Sequence, residues 1–125
     1  MVSTLAIARA PVIYSHSSAF ALCNHYRNVQ DDVLKLTKTN GGLVMVNFYD
    51  KYVTCYPMNG TESTLAHVAD HIDYIKNLIG VDHVGIGADY DGVKAEMSHE
   101  APHEDMLPFE VAAPEEVCHT RLDTW

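Results

Sequence analysis

Dense apolar runs and one long spaced series alternate along most of the chain, and the two patterns call for different elements. After Pro11, the run "VIYSH" reads as a buried strand over Val12 to Ser15. In "RNVQDDVLKLTKTNGG", Asn28 is placed to cap a helix whose first turn carries Asp31 and Asp32, where the helix dipole favours negative charge. Val33, Leu34 and Leu36 supply its apolar stripe, and Asn40-Gly41-Gly42 ends it with a left-handed cap. "LVMVNFY", Leu43 to Tyr49, is apolar nearly throughout and predicts a strand covered on both faces. Beyond the turn-forming stretch "YPMNGTES", Leu65, Val68, Ala69, Ile72, Ile75 and Leu78 recur at helical spacing up to Gly80. "HVGIGAD", His83 to Asp89, is the third strand and runs into the turn Tyr90-Asp91-Gly92. Thr4 to Arg9 reads as the end of another helix. Strands alternating with helices define an α/β chain with a parallel sheet and right-handed crossovers. In that architecture functional groups collect where strands end and loops begin, and here the first strand ends on His16 and the third on Asp89.

The pattern breaks at Lys94. From there the apolar period disappears, Pro102, Pro108 and Pro114 interrupt any helix, and eight acids face two bases. Two regions follow: residues 1–93, an ordered α/β unit, and residues 94–125, an irregular acidic tail. With 125 residues, the chain has room for one modest core. Its net charge of −9 repels phosphate backbones and argues against a nucleic-acid partner. No apolar run reaches the ~20 residues that cross a bilayer. The N-terminus lacks the basic start of a secretory signal. Cys23, Cys55 and Cys118 leave the redox compartment open, and Asn59-Gly60-Thr61 is an acceptor sequon for N-glycosylation.

Three groups bear on chemistry. His16 admits two readings: a histidine hydrogen-bonded to Ser15 or Ser17, or a neutral imidazole offering a lone pair to a divalent ion. Asp89 is either a turn aspartate or a carboxylate that ligates a metal or moves a proton beside it. Arg27 is a solvated loop residue, or a fork that clamps a substrate carboxylate. His67 and His71 share a helix face but flank the apolar stripe, and no glutamate follows His67 to complete H-E-x-x-H. His99 and His103 have the same spacing, which Pro102 spoils. Without G-x-S-x-G, a phosphate-cradling glycine loop or C-x-x-C, several hydrolase, nucleotide and redox classes lose support.

The segments "RAPVIYSHSSAFALCNHYRNVQDDVL", "GGLVMVNFY" and "VADHIDYIKNLIGVDHVGIGADYDGV" resemble the last third of the membrane dipeptidases, zinc peptidases of the amidohydrolase superfamily. The resemblance runs from about Met1 to Val93 and implies part of a (β/α)8 barrel of TIM type, with about three of its parallel strands present. It implies that His16 ligates one ion of a two-zinc centre and that Arg27 binds the carboxylate of a dipeptide substrate. By the same resemblance Asp89 sits beside the bridging water and handles the proton passed to the leaving amine, and Cys23 and Cys55 form a disulfide. A homodimer, and attachment to the extracellular face of the membrane through a glycosylphosphatidylinositol (GPI) lipid anchor, are also implied.

The family's H-x-D pair, bridging glutamate and further ligand histidine are not found in this chain, and nothing after Val93 resembles its C-terminal helices or anchor signal. The expectation is therefore a fragment: a dipeptidase by family, with little or no turnover alone. The alternative is a non-catalytic module that pairs with a full-length partner through open sheet edges.

Overall fold

The computed structural model describes residues 1–90; the turn residues Asp91 and Gly92, the acidic tail, His99, His103 and Cys118 lie outside the described residues. The elements run α1 (Val2–Ile7), β1 (Ile13–Tyr14), α2 (Asp31–Asn40), β2 (Leu43–Val46), α3 (Asp50–Val53), α4 (Leu65–Ile79) and β3 (Val84–Ile86), with a 3-10 turn at Val81–His83. The strands form one three-stranded sheet in the order β1-β2-β3. Both pairings are parallel: Ile13 and Tyr14 lie beside Leu43 and Val44, while Val44, Met45 and Val46 lie beside Val84, Gly85 and Ile86. The expected α/β architecture with crossover helices is thus observed. Among the described residues no helix is long and apolar enough to cross a membrane.

The alternation of side chains along a strand sorts the sheet into two faces. Val44, Val46 and Val84 turn toward the helices and pack with Leu34, Ile75 and Ile79 in the buried core. On the opposite face Leu43 and Met45 are half-buried, and Ile13, beside Leu43, is 57% exposed. Among the described residues the sheet is therefore covered on one face only, whereas the apolar run of β2 predicts cover on both.

Helix α2 ends as its sequence dictates. Gly41 takes a left-handed conformation at φ 73° and its N–H returns to the carbonyls of Lys38 and Thr37. The last helical residue, Asn40, does a second job: its Oδ1 accepts from the Val12 N–H at 2.6 Å and its Nδ2 donates to the Ala10 carbonyl at 3.1 Å. One side chain thereby fixes the entry to β1. The cap at the other end is Gln30, which makes no side-chain cap bond, and not Asn28 as the local pattern predicts. Asn28 is only 2% exposed and is spent on the loop before the helix. Helix α4 begins with a capping box in which Thr64 and His67 satisfy each other's backbone N–H groups. The strands are shorter than predicted, since β2 stops at Val46 and His83 belongs to the 3-10 turn.

Candidate functional site

Strands β1, β2 and β3 all point the same way, so the residues that follow them gather at one rim. There the backbone stitches the strand ends together: the Ser17 N–H donates to the Met45 carbonyl at 2.9 Å, and the Gly87 N–H to that of Val46 at 2.8 Å. Glycine is required at 87. A Cβ built there would overlap the Ser15 carbonyl oxygen and lie 2.9 Å from the Met45 Cβ. This close approach brings the end of β1 across to the end of β3.

His16 and Asp89 meet at that rim. The His16 Nδ1–H donates to the Gly87 carbonyl at 3.0 Å, which leaves Nε2 with its lone pair free to act. Nε2 lies 3.8 Å from the Asp89 Oδ1, and the two side chains are 37% and 18% exposed. An imidazole whose far nitrogen is tied to a carbonyl and whose near nitrogen faces a carboxylate has the arrangement metal-ligating histidines commonly show. The donor types and their orientation therefore fit a divalent cation. The number does not fill a site: among the described residues no group of three or more His, Cys, Asp or Glu could hold a metal ion. Asp89 adopts φ 67°, a left-handed conformation that aspartate tolerates better than most residues, and such geometry concentrates at functional positions.

Arg27 is not drawn into this pair. Its guanidinium carbon stands 5.5 Å from the centre of the Tyr52 ring, in cation–π range, and the residue is exposed. Among the described residues it forms no ion pair with Asp89. The loop from His16 to Arg27 is nonetheless rigidly built. The Asn28 carboxamide accepts from the Ser18 N–H at 3.1 Å and donates to the carbonyls of Cys23 at 2.9 Å and Tyr52 at 2.7 Å. A Cys23–Cys55 disulfide, with Cα atoms 5.5 Å apart, joins the same loop to the residues after α3. His25 lies 4.6 Å from Tyr52, ring to ring, and burial, followed by the positive charges of Arg27 and Lys51, pushes it below its ordinary pKa.

Asn28 and Tyr52 are the residues that sequence reasoning missed. Asn28 carries the signature of a helix cap, and nothing local distinguishes a cap from a buried clamp. Tyr52 sits in a short helix with no apolar period. Asn47, fully buried just beyond β2, accepts from the Tyr49 N–H through Oδ1 at 3.1 Å, while its Nδ2 has no partner among the described residues. The two histidines of α4 are committed elsewhere. His67 caps the helix, and the buried His71 accepts from the Ala19 N–H at 2.9 Å and donates to the Val53 carbonyl at 2.8 Å.

Comparison with known proteins gives this rim a family context. A match to the family described as Membrane dipeptidase (Peptidase family M19) spans residues 1–106. The dipeptidase aclJ of Aspergillus oryzae is 54% identical over 93 residues, which are 74% of this chain and 21% of that protein. An uncharacterized dipeptidase, C965.12, of Schizosaccharomyces pombe is 47% identical over 93 residues, 74% of this chain and 22% of its own. Among solved structures, a metallo peptidase from Rhodobacter sphaeroides, liganded with a phosphinate mimic of the dipeptide L-Ala-D-Ala, superposes with TM-score 0.67 at 29% identity, over 74% of this chain and 26% of that one. An amidohydrolase from Pseudomonas aeruginosa gives TM-score 0.62 at 33% identity, over 70% of this chain and 26% of that one. The chain thus spans about a fifth of the length of these curated relatives.

Proposed function

The chain belongs to the membrane dipeptidase family, peptidase family M19, and on that footing we propose that it supplies one wall of a zinc dipeptidase site. The observation that carries this reading is the meeting of His16 Nε2 and Asp89 Oδ1 at 3.8 Å, on the ends of two different strands. In the proposal His16 ligates one ion of a two-zinc centre. A divalent metal in such a place polarises the scissile carbonyl and lowers the pKa of water.

The other tasks fall to this chain's own side chains. The Gly87 carbonyl holds the His16 ring in one tautomer, so that Nε2 is always the available nitrogen. Asp89 accepts on its carboxylate the proton that the attacking water gives up and delivers it to the amine nitrogen that leaves. Arg27, carried on a loop pinned by Asn28 and the disulfide, binds the substrate carboxylate through two parallel hydrogen bonds. A dipeptide as substrate is supported by the dipeptide mimic named for the Rhodobacter sphaeroides structure. Residence on the extracellular side of a membrane belongs to the same proposal and is supported by the disulfide, which oxidising compartments preserve.

Zinc sites take three or four protein ligands, more than His16 and Asp89 provide. Alone, the 125 residues therefore have little or no turnover. Assay of the purified chain with zinc and a panel of dipeptides tests this. No hydrolysis is expected, and turnover that disappears on Asp89→Asn would show that the chain is active by itself. A second reading is favoured by the sheet face left uncovered among the described residues, where Ile13 is 57% exposed, and by β1 and β3, which are edge strands among them. It makes the chain a non-catalytic module that pairs with a full-length relative. Stoichiometric zinc without turnover, and co-purification with such a relative, are its expected signs.

A further inference from the structure

The segment between α3 and α4 carries chemistry that the rim does not use. Between them residues 57–62 form an exposed turn, with Gly60 left-handed at φ 66°. Thr54 anchors the turn from below: its Oγ donates to the Thr61 carbonyl at 2.6 Å. Asn59 stands exposed on this turn as the first residue of Asn59-Gly60-Thr61. Its Nδ2 donates one proton to the Thr54 carbonyl at 3.1 Å, which leaves the second amide proton uncommitted. A Cβ added at Gly60 would meet no atom within 4 Å among the described residues, so the space around the sequon is open.

The Cys23–Cys55 disulfide is an independent observation that points to the same compartment. Disulfides persist in the secretory pathway, the compartment in which asparagine is glycosylated. Cys55 itself lies four residues before the acceptor. We propose that Asn59 carries an N-linked glycan. The donor is an oligosaccharide linked to a lipid through a diphosphate. The Asn59 nitrogen bonds to the anomeric carbon of the first sugar, the bond from that carbon to the diphosphate oxygen breaks, and the amide loses one proton as the lipid diphosphate departs. The nitrogen keeps its other proton, and with it the bond to the Thr54 carbonyl, so the first sugar leaves the turn in a fixed direction.

That direction has a consequence. Asn59 lines a cleft of about 280 Å³ together with Leu22, Val53, Thr61, His67 and Asp70. Leu22 is 43% exposed and the neighbouring Met58 90% exposed. A glycan rooted here covers exposed apolar surface at Leu22 and Met58, beside the loop to which the disulfide joins this turn. The proposal stands independently of the dipeptidase reading.

The test is mass spectrometry of the protein isolated from its native source. Trypsin releases residues 52–76, which hold both Cys55 and Asn59. The expected result is a glycopeptide that peptide-N-glycosidase in heavy-oxygen water converts to a labelled aspartate at 59, with Cys55 still bridged to Cys23. In a eukaryotic secretory host, Asn59→Gln and Thr61→Ala are each expected to abolish the mass shift, and Thr61→Ser to keep it. An unmodified Asn59 in protein whose disulfide is closed would overturn the proposal. So would protein recovered with Cys23 and Cys55 as free thiols.

Discussion

His71 spends both ring nitrogens on backbone, accepting from Ala19 and donating to Val53, whereas His16 spends one on Gly87 and keeps the other for Asp89. Sequence alone marks both as histidines near apolar runs; the difference lies in what the second nitrogen meets. Burial holds His71 below its ordinary pKa of 6.5, against the opposing pull of the Val53 carbonyl. Its folded form is therefore neutral, and the unfolded chain takes up a proton first. The stabilisation is complete above pH 6.5 and is lost as pH falls from there toward the depressed folded value. Denaturant unfolding between pH 7.5 and 5 should show stability falling by up to about 1.4 kcal/mol per pH unit from this one group. His25 titrates in the same sense, so the check is a His71→Gln variant, which should fall more gently than the parent.

Among the elements, those with a long period were legible and those set by tertiary contact were not. Helix α4 spans Leu65–Ile79 because its apolar stripe repeats over four turns and Gly80 follows, all of it visible in the sequence. Strand β2 stops at Val46 although apolar residues run on to Tyr49. Asn47 bonds back to the Tyr49 N–H and turns the chain into α3, whose four residues are too few to display a period. Asn28 misleads for a similar reason, since a buried carboxamide satisfying Ser18, Cys23 and Tyr52 looks locally like a cap. The rim is more fully legible: strand ends in a parallel sheet converge, and His16 and Asp89 do. The disulfide came from family resemblance. It closes a loop with a sequence separation of 32, and its removal by Cys23→Ser with Cys55→Ser should cost about 4 kcal/mol by loop entropy. Denaturant unfolding of the double variant checks this, and the parent in reductant should show the same loss.

Among the described residues the sheet is half-dressed. Its helix face is packed, its other face shows Ile13, Leu43 and Met45, and β1 and β3 are edges among the described residues. The chain covers about a fifth of its curated relatives and about a quarter of the solved structures it superposes on. A sheet with such a face reaches its lowest free energy against further apolar surface. In the function proposed above, His16 and Asp89 form one wall of a metallopeptidase site. The direct measurement is zinc content and dipeptide turnover of a chimera in which residues 1–93 replace the matching segment of the Aspergillus oryzae dipeptidase. The chimera is expected to hydrolyse dipeptides. His16→Ala should remove bound zinc, and Asp89→Asn should keep zinc while lowering kcat by about 100-fold or more. A folded, active chimera that keeps both zinc and turnover after His16→Ala and Asp89→Asn would contradict the account.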